Sequence, residues 1–390
     1  MLSDDFSMYH FRGGLIRELV RRNIRVVVIV PPGDFRSRLQ ELGIRCIPLS
    51  MHRFISPIRD ILLTVRLYKV FRAEKFDIVH NMTIKPNIYG TFAASLAGIK
   101  RRVCLVSGGG FAFMNDASWK TGLMRFAVLW MYKLAMSLCY KIWFQNRDDY
   151  ELFVQKGITK KKKGVVIRSG GINIDEYSPA SVDSDTLNNL RVELSLPSSA
   201  NCVLMVAARL TWSKGVREFV EAASRLNEKY PNWYFVMVCP LDQGSPDSVP
   251  RKYLDRQRLE RLIVIDTFRH DIKSFIALAD IMVLPSFYPE GVPRTLLEGL
   301  AMAKPIVTTD NQGCRETVEN GKNGYLIPIK NSDMLAKRLD ILMADQDIRA
   351  QFGLESRRKA ENEFSESIVV GRVIREIYEL DFQKGTHSAR

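Results

Sequence analysis

Two carboxylates stand eight residues apart in residues 285–298, which read Pro-Ser-Phe-Tyr-Pro-Glu-Gly-Val-Pro-Arg-Thr-Leu-Leu-Glu. Gly291 directly follows Glu290, so we expect Glu290 in a loop where a ligand can approach the backbone closely. Glu298 is expected in the first turn of a helix that opens near Thr295, where backbone N–H groups attract anions. Because carboxylates accept hydrogen bonds from hydroxyls, the pair suits a polyol ligand. The alternative is that Glu298 caps or ion-pairs its own helix while Glu290 is solvated.

A second group of candidate residues lies in Ala-Arg-Leu-Thr-Trp-Ser-Lys-Gly at residues 208–215. It follows a predicted strand, and Gly215 is placed to open a helix. Arg209 and Lys214 therefore flank a strand-to-helix turn, which is a favourable arrangement for binding a diphosphate. The alternative is an exposed loop whose charges face solvent.

Charge is distributed unevenly along the chain. Residues 1–180 hold 29 Lys and Arg against 14 Asp and Glu, whereas residues 181–390 hold 28 against 29. A basic half indicates an anionic partner, such as an acidic membrane surface, a phosphorylated substrate or a nucleic acid. The alternative is that the charge only keeps the protein soluble.

Several classes of function lack their sequence signatures here. The six cysteines form no Cys-x-x-Cys pair, which favours a reduced, cytoplasmic compartment, and no His/Cys cluster has zinc spacing. Neither the dinucleotide fingerprint Gly-x-Gly-x-x-Gly nor a Walker A loop is found, so a hydride-transfer enzyme and a P-loop ATPase are disfavoured. The basic half carries no nucleic-acid-binding motif, so no nucleic-acid partner is expected.

Alternating strands and helices must position these residues. Over 390 residues, which suggests two or three domains, short apolar runs predict strands at 25–30, 45–50, 77–81, 102–107, 141–144, 164–168, 202–207, 234–239, 262–266, 281–284, 305–308 and 324–328. Helices are predicted at 13–22, 34–42, 57–73, 88–96, 121–139, 215–229, 272–279, 295–303, 333–342 and 366–381. This βαβ rhythm predicts α/β architecture with parallel sheets.

The polar stretch 178–200, with Pro179 and Pro197, predicts the boundary between two Rossmann-like domains. We expect a first domain over 1–180, a second domain over 198–365 and a C-terminal helix and tail over 366–390. The ligands are expected at the carboxyl ends of the strands, in a cleft between the domains. Only about a dozen residues precede the first predicted helix, and Met1–Ser3 could supply at most a stub of a strand, so the first strand is expected to be truncated or missing.

No apolar stretch is long enough to predict a membrane span. The most apolar candidate, residues 123–144, is interrupted by Arg125, Lys133 and Lys141, whereas a span needs about 20 predominantly apolar residues. The acidic start Met-Leu-Ser-Asp-Asp does not fit a signal peptide. We therefore expect a cytoplasmic protein that contacts a membrane surface.

The second half resembles the C-terminal domain of family 4 glycosyltransferases, which have the GT-B fold of two Rossmann-like domains around a cleft. The resemblance covers nearly all of residues 200–385. It implies that the domain over 198–365 binds a nucleotide-sugar, that the domain over 1–180 binds the acceptor, and that the C-terminal helix returns to the first domain. It rests on Arg209 with Lys214-Gly215, Asp280 before Ile-Met-Val-Leu-Pro-Ser, Glu290 and Glu298 as Glu-x7-Glu, Pro305-Ile-Val-Thr-Thr-Asp, Gly313-Cys-Arg-Glu316 and Asn323-Gly324.

The resemblance implies a retaining transferase with a nucleotide-sugar donor, most often UDP-linked. Arg209 and Lys214 would hold the diphosphate, Glu298 would bind the ribose hydroxyls, and Glu290 would face the transferred sugar as the catalytic carboxylate. Residues 291–295 would line the donor, with backbone N–H groups from all but the proline; they are Gly291, Val292, Pro293, Arg294 and Thr295.

The family needs no metal for the diphosphate, and the resemblance implies no cofactor. No Asp-x-Asp lies near the Glu290 and Lys214 motifs; Asp183-Ser-Asp185 matches that pattern but falls in the predicted interdomain linker. Front-face displacement, in which the leaving phosphate takes the acceptor proton, is the implied mechanism. Double displacement with Glu290 as nucleophile is the alternative.

The first half resembles bacterial members that build surface polysaccharides and lipid-linked oligosaccharides, including N-acetylhexosaminyltransferases acting on undecaprenyl-diphosphate sugars. The similar segments are residues 77–90, which contain Lys85, and 107–113, which contain Gly108 and Gly109. We assign these three residues to an acceptor phosphate loop. Gly13 and Gly14, expected at the opening of the first helix, are assigned to it too, with helix packing as the alternative.

His80 is expected to end a strand on the cleft side and to contact substrate hydroxyls as a second catalytic residue, with a structural role as the alternative. Cations interleaved with apolar residues predict a pair of helices at an anionic membrane surface, with a core helix as the alternative. The residues are Arg12, Arg17, Arg21, Arg22, Arg53, Arg59, Arg66 and Lys69 with Phe54, Ile55, Leu62, Leu63 and Tyr68.

These features predict a retaining glycosyltransferase that uses a UDP-sugar and an undecaprenyl-diphosphate-linked saccharide at the inner face of a bacterial plasma membrane. Three alternatives remain at this point: a GT-B transferase with a soluble acceptor, a UDP-sugar epimerase, and a catalytically silent GT-B subunit that binds a nucleotide-sugar or a membrane.

Overall fold

The computed structural model describes residues 1–52, 56–108, 119–242, 244–257 and 259–380, with only the backbone described over 119–125. The chain divides into two compact units. Unit 1 comprises Met1–Gly171 and Glu366–Arg390, and unit 2 comprises Ile172–Ser365. The C-terminal segment therefore belongs to unit 1.

The strands and helices alternate along both units. The strands are β1 (Val27–Val30), β2 (Arg45–Pro48), β3 (Ile78–Asn81), β4 (Arg101–Val106), β5 (Lys141–Phe144), β6 (Gly164–Val166), β7 (Asn201–Val206), β8 (Trp233–Val238), β9 (Leu262–Ile265), β10 (Ile281–Leu284), β11 (Ile306–Thr309) and β12 (Gly324–Ile327). The helices are α1 (Asp5–Arg21), α2 (Arg36–Gln40), α3 (Pro57–Glu74), α4 (Thr91–Leu96), α5 (Trp119–Leu138), α6 (Arg147–Gln155), α7 (Ser184–Glu193), α8 (Val216–Leu226), α9 (Arg251–Asp255), α10 (Ile272–Leu278), α11 (Arg294–Ala301), α12 (Ser332–Ala344), α13 (Gln346–Lys359) and α14 (Glu366–Arg372).

The strands of unit 1 are parallel and fall into two groups, β1–β2 and β3–β4–β5–β6. Met1 and Leu2 lie between the groups: the Leu2 N–H donates to Ile29 O at 3.3 Å, and the Met82 N–H donates to Met1 O at 3.1 Å. These two residues thus bridge β1 and the end of β3 through backbone hydrogen bonds, although neither forms part of an assigned strand.

Helix α1 begins earlier than predicted. Asp4 caps it by accepting a hydrogen bond from the Ser7 N–H at 2.6 Å. The prediction that Gly13 and Gly14 open this helix is therefore wrong, because a capped start at Asp5 places both glycines in its interior. The apolar side of α1 packs with α14 and the following residues in one buried core.

Unit 2 contains a six-stranded parallel sheet in the order β12–β11–β10–β7–β8–β9. Its strands are mostly apolar, as expected of parallel strands in a sheet that helices cover on both faces. The order reverses between β7 and β10, where neighbouring connections leave in opposite directions. Such a switch point leaves a crevice at the carboxyl ends of the two strands.

The stretch 178–200, expected to be a linker, lies inside unit 2. It contains helix α7, whose N-cap Asp183 accepts a hydrogen bond from the Thr186 N–H at 2.8 Å. Leu190 of α7 is buried in the core of unit 2. The polar composition therefore reflects a capped surface helix, and the division of the chain falls at Gly171–Ile172 instead.

In the described part of the chain, no helix combines the length and apolar character that crossing a membrane requires.

Candidate functional site

Charged side chains gather at the carboxyl ends of the central strands of unit 2. Arg209 and Lys214 follow β7, Asp242 follows β8, and Glu290 follows β10. Since β10, β7 and β8 are neighbours in the sheet, these residues lie at the switch point and beside it. The topology thus brings together residues that are up to 81 positions apart in the sequence.

The turn after β7 depends on Gly215. Its φ is +84°, and a Cβ there would lie 2.2 Å from the carbonyl oxygen of Pro285, so a side chain has no room. The N–H groups of Phe287 and Tyr288 donate to Ser213 O at 2.8 and 3.1 Å. The loops after β7 and β10 are therefore bonded to each other by their backbones, and α8 begins directly after the turn.

Lys214 and Glu290 form an ion pair across these two loops. Their side chains are only 11% and 12% exposed. The Ser286 hydroxyl donates to Glu290 Oε1 at 3.0 Å, and Lys214 Nζ lies 5.1 Å from the centre of the Tyr288 ring. A mostly buried cation and a mostly buried carboxylate are therefore held in fixed positions at the switch point.

Arg209 pairs with Asp242, Nη1 to Oδ2 at 3.1 Å. Asp242 is buried, while the Arg209 side chain is more than one-third exposed. Both predicted diphosphate ligands are thus paired with carboxylates and lie near the N-terminus of α8, where unpaired backbone N–H groups favour an anion. Their role in diphosphate binding stays a prediction.

A third loop, after β11, supports the Glu290 loop. Gly313 has a φ of +74°, and a Cβ on it would lie 1.6 Å from Gly291 O and 2.8 Å from Glu290 O. Asn311 Nδ2 donates to Tyr288 O at 2.7 Å, and the Thr309 hydroxyl donates to Ser286 O. The position of Glu290 is therefore set by backbone contacts that leave no space for a side chain at residue 313.

Glu298 is the fifth residue of α11, so the prediction that it lies in the first turn is wrong. Its Oε1 accepts a hydrogen bond from Arg294 Nε at 3.0 Å, the ion pair with its own helix that was left open as the alternative. Burial raises the pKa of Glu298, while Arg294 and a hydrogen bond from Tyr177 oppose the rise. The same burial, reinforced by Glu298, raises the pKa of Tyr177.

The remaining predicted donor residues lead from Glu290 into α11. Val292 and Pro293 are buried, Pro293 is the N-cap residue of α11, and Arg294 and Thr295 are partly exposed at its start. The first backbone N–H groups of a helix have no partner within the helix, so Pro293, which has no N–H, can stand at the start of α11 without the loss of a hydrogen bond. The donor contacts predicted for residues 291–295 stay predictions.

His80, predicted to be catalytic, is buried in unit 1. Its Nδ1 lies 2.7 Å from the Tyr378 hydroxyl, and its ring centre lies 6.0 Å from that of Trp143. Burial, the Met1 amino group and Arg12 all lower its pKa well below the usual value, so the ring is neutral at physiological pH. These contacts favour packing between β3 and the C-terminal segment; the catalytic role stays a prediction.

Gly13 and Gly14 lie inside α1 and contact side chains of their own unit. A Cβ on Gly14 would lie 1.9 Å from the Glu366 carboxyl carbon, and one on Gly13 would lie 3.1 Å from Arg17 Nη1. Arg17 and Glu366 form an ion pair at 3.2 Å. Because interior helical N–H groups are used within the helix, the two glycines offer no phosphate-binding backbone at this point.

Lys85 lies after β3 and pairs with Asp60 of α3, Nζ to Oδ1 at 2.6 Å. Asp60 is buried and also accepts hydrogen bonds from the Ser56 N–H and the Tyr89 hydroxyl. Gly108, after β4, has a φ of +110°. The last residue of the predicted acceptor loop, Gly109, lies outside the described residues, as do Arg53, Phe54 and Ile55 of the predicted membrane helices.

The burial and pairing of the α1 cations do not agree with their predicted place at a membrane surface. Arg12 is buried, with Cζ 5.2 Å from the centre of the Trp143 ring. Arg21 and Arg22 both pair with Glu18 of the same helix. Membrane contact through α1 is therefore not favoured, because its cations are buried or already paired with nearby carboxylates.

Two family models together match most of the chain. The model described as glycosyl transferases group 1 matches residues 188–359, and the model described as glycosyl transferase 4-like matches residues 1–146. A Campylobacter jejuni N,N'-diacetylbacillosaminyl-diphospho-undecaprenol alpha-1,3-N-acetylgalactosaminyltransferase is 31% identical over 370 residues, which cover 95% of either chain. The chain belongs to the family 4 glycosyltransferases.

Other proteins that are similar to this glycosyltransferase are glycosyltransferases too. The Escherichia coli UDP-Gal:alpha-D-GlcNAc-diphosphoundecaprenol alpha-1,3-galactosyltransferase is 28% identical over 333 residues, 84% of this chain and 82% of that one. The solved structure of Anabaena HepE with UDP and glucose superposes with a TM-score of 0.79 at 20% identity, covering 97% and 98% of the two chains. The lipopolysaccharide glycosyltransferase WaaG superposes with a TM-score of 0.69 at 14% identity. The fold is GT-B, with two Rossmann-like units.

Sequence reasoning about this glycosyltransferase missed the partners of its predicted site residues. Ser286 and Tyr288 were quoted within the Glu290 segment without a role, and Asp242 was not singled out. The signal for Asp242 is topological: it follows β8, and β8 is adjacent to β7 in a doubly wound sheet. Gly313 was noted as part of a motif, but only its positive φ and its contact with Gly291 explain the glycine.

No group of three or more His, Cys, Asp or Glu side chains suited to hold a metal ion occurs among the residues that the structure describes.

Proposed function

We propose that this glycosyltransferase moves a sugar, an N-acetylhexosamine or a hexose, from a UDP-sugar to an undecaprenyl-diphosphate-linked saccharide during bacterial surface polysaccharide synthesis. The two relatives from Campylobacter jejuni and Escherichia coli support this acceptor class, since both are named for acting on saccharides linked through a diphosphate to undecaprenol. Transfer is proposed to retain the anomeric configuration and to take place at the inner face of the plasma membrane.

The Lys214–Glu290 pair at the switch point of unit 2 is the observation on which the donor site rests. A UDP diphosphate bound near the N-terminus of α8 would take the ammonium of Lys214 and the guanidinium of Arg209 as its cations. Charge-assisted hydrogen bonds of this kind contribute about 1.5–3 kcal/mol each. Glu298 is proposed to accept hydrogen bonds from the ribose hydroxyls.

In the proposed reaction, the bond between the anomeric carbon and the phosphate oxygen breaks while the acceptor oxygen bonds to that carbon on the same face. The departing phosphate oxygen gains negative charge as its bond to the anomeric carbon breaks, and it takes the proton from the acceptor hydroxyl. Lys214 stabilises this charge, and Glu290 stabilises the cationic anomeric centre. Two mostly buried groups of opposite charge serve this purpose well, because they need little reorganisation during the reaction.

Acceptor binding is proposed for unit 1. Residues 1–171 of this unit carry 29 basic against 12 acidic residues, which favours a diphosphate and an anionic membrane surface. Lys85 and Gly108 follow neighbouring strands, β3 and β4, so the two loops leave the same carboxyl edge of the sheet of unit 1, where ligands of parallel sheets bind.

A donor and acceptor screen tests the proposal. The purified protein is incubated with UDP- and GDP-sugars, with and without undecaprenyl-diphosphate-linked saccharides, and release of the nucleotide and the glycosylated product are measured. We expect release from a UDP-sugar that requires the lipid-linked acceptor, with retained configuration in the product by NMR. Tight UDP binding without transfer to any acceptor would contradict the proposal.

Metal independence is part of the proposal and has its own control. Because Arg209 and Lys214 are available to neutralise the diphosphate, transfer should continue at an unchanged rate after treatment with EDTA. A rate that falls with EDTA and returns on addition of Mg²⁺ or Mn²⁺ would show that the cations of the protein are insufficient.

A further inference from the structure

The loop after β8 carries a second carboxylate besides Asp242. It is Asp247, whose Oδ2 accepts a hydrogen bond from the Ser213 N–H at 3.2 Å and another from the Ser213 hydroxyl. Ser213 is buried and directly precedes Lys214 in the turn after β7. Since Asp242 pairs with Arg209, each of the two predicted diphosphate cations is linked to one carboxylate of this loop.

The backbone of the loop after β8 runs along the turn after β7. The Leu210 N–H donates to Pro240 O at 2.7 Å, and the Val249 N–H donates to Leu210 O at 3.1 Å. The Trp212 N–H, at the start of a short helical turn, donates to Asp247 O at 2.9 Å. The first N–H groups of a helical turn have no partner within it, so they need acceptors from outside. Asp247 supplies such acceptors with its main chain and its side chain.

The carbonyl oxygen of Ser213 extends this connection to the loop after β10. It accepts hydrogen bonds from the Phe287 and Tyr288 N–H groups at 2.8 and 3.1 Å, and it lies 3.2 Å from the Ser286 hydroxyl oxygen. The same hydroxyl oxygen lies 3.0 Å from Glu290 Oε1. One buried serine therefore joins a carboxylate of the loop after β8 to the loop that carries Glu290.

We propose that Asp247 is a positioning residue of the donor site. By accepting hydrogen bonds from both the N–H and the hydroxyl of Ser213, it fixes the turn that carries Lys214 and, through the Ser213 carbonyl, the loop that carries Glu290. The proposal rests on the proposed function for the reaction that these two groups carry out. Because catalysis requires charges to be placed closely against the reacting atoms, loosening this connection should lower kcat more than it weakens substrate binding.

Steady-state kinetics with a UDP-sugar and the lipid-linked acceptor test the proposal. We expect Asp247→Ala to lower kcat by about tenfold to a hundredfold, whereas the KM for the UDP-sugar should change by less than about threefold, because Lys214 and Arg209 remain. Asp247→Asn should keep kcat within about fivefold of the unmodified value, since its amide oxygen can accept both hydrogen bonds from Ser213. An Asn variant as slow as the Ala variant would overturn the proposal, because the charge and not the hydrogen bonds would then matter.

Asp183→Ala is the matched control. Asp183 also accepts hydrogen bonds from the N–H and the hydroxyl of a single residue, Thr186, at 2.8 and 2.9 Å, but these bonds cap α7 and stay within three residues of the chain. Both alanine variants should lose stability in chemical denaturation, and only Asp247→Ala should lose kcat. Equal falls of kcat in the two variants would show a general effect of stability and would contradict a positioning role.

A double variant tests whether Asp247 acts through Ser213. Ser213→Ala removes the hydroxyl and leaves the N–H bond to Asp247, so it should lower kcat by about threefold to tenfold. Asp247→Ala/Ser213→Ala should be no slower than Asp247→Ala alone, because two residues that act through one shared contact do not contribute independently. Losses of kcat that multiply in the double variant would show that Asp247 acts by another route.

Hydrogen–deuterium exchange gives a measurement that does not depend on transfer. Since the Phe287 and Tyr288 N–H groups bond to Ser213 O, Asp247→Ala should raise the exchange rate of residues 285–290 by about tenfold, and Asp183→Ala should leave it unchanged. Unchanged exchange in Asp247→Ala would overturn the proposal even if transfer were slower. If the unmodified protein transfers sugar to no acceptor, the proposed function fails, and the exchange rates still decide whether Asp247 holds the Glu290 loop.

Discussion

The two units of this glycosyltransferase use their charged residues in opposite ways. In unit 2, Lys214 and Glu290 come from different loops and meet at the switch point of the sheet. In unit 1, His80 bonds to Tyr378 in the interior, and Gly14 makes room for Glu366. One unit thus presents its polar residues at the strand ends, while the other uses several of them to hold its C-terminal segment.

This contrast shows when the role of a residue can be predicted from the sequence. The residues of unit 2 stand in local motifs at strand-to-helix turns, and the turn geometry alone directs them to the carboxyl edge of the sheet. His80 also lies near the end of a strand. Its hydrogen-bond partner Tyr378 is 298 positions away in the sequence, so no local sequence pattern predicts that contact. The following four predictions test whether the contrast is real.

Gly313→Ala should have the largest effect on stability, a loss of about 3 kcal/mol or more in the free energy of unfolding. A Cβ there would overlap Gly291 O, and the residue has a φ of +74°. Gly321→Ala is the matched control, because Gly321 has a φ of +81° with nothing within 4 Å of the added Cβ. Chemical denaturation of both variants measures the difference between their free energies of unfolding. Equal losses of stability would show that the positive φ alone, without the contact to Gly291 O, explains the need for a glycine at position 313.

Lys214→Ala should weaken UDP binding by about tenfold to a hundredfold, which corresponds to one charge-assisted contact of about 1.5–3 kcal/mol. Isothermal titration calorimetry with UDP measures this directly. Lys337→Ala, which removes an exposed lysine from α12, should leave the affinity unchanged. An unaltered UDP affinity in Lys214→Ala would remove the main cation from the proposed donor site.

His80→Asn should lower the free energy of unfolding by about 1–2 kcal/mol at alkaline pH, since it loses ring contacts and alters the hydrogen bond to Tyr378. The folded-state pKa of His80 lies well below its usual value of 6.5, so the unfolded chain binds the proton first as the pH falls. The unmodified protein therefore loses stability below pH 6.5, and the variant should lose less.

Denaturation curves across this pH range, together with transfer rates, give the result for His80. Equal pH dependence of the two proteins would contradict the neutral, buried histidine. A transfer rate more than about tenfold lower in a folded His80→Asn protein would support the predicted catalytic role instead and would weaken the contrast between the units.

Gly13→Ala should have the smallest effect, a gain of up to about 1 kcal/mol in the free energy of unfolding with unchanged transfer. Residue 13 lies inside α1, and the added Cβ would meet only the mobile end of Arg17. A raised KM for the lipid-linked acceptor would revive the predicted phosphate contact at this glycine. Thermal denaturation and acceptor titrations are sufficient to decide.

The fold was largely accessible from the sequence because buried parallel strands form short apolar runs. Strands β5 and β10 were predicted to the residue, and β1 began two residues later than predicted. The helix starts were harder to locate: α1 begins at a capping aspartate that resembles a loop residue, and the polar α7 resembled a linker. Local composition could not place these boundaries, since caps and tertiary packing decide them.

The site was accessible only in part. The types and order of Arg209, Lys214 and Glu290 indicated a phosphate and sugar site, but the sequence did not predict that Lys214 and Glu290 bond to each other. An ion pair of Glu298 with its own helix, now seen with Arg294, was left as an alternative to ligand binding, because spacing alone cannot distinguish the two. Of the apolar residues of α3 that were assigned to a membrane surface, Leu62 is exposed but Leu63 is buried in the core, and the sequence alone did not distinguish them.

The central claim is that Glu290, held beside Lys214 in unit 2, acts in the transfer step. Its most direct test compares the transfer rate and the UDP affinity of Glu290→Gln, a change that keeps the shape and removes the charge. We predict a rate at least about a hundredfold lower with nearly unchanged UDP affinity, because the carboxylate acts on the charge that develops during transfer. A near-normal rate in Glu290→Gln would contradict the claim.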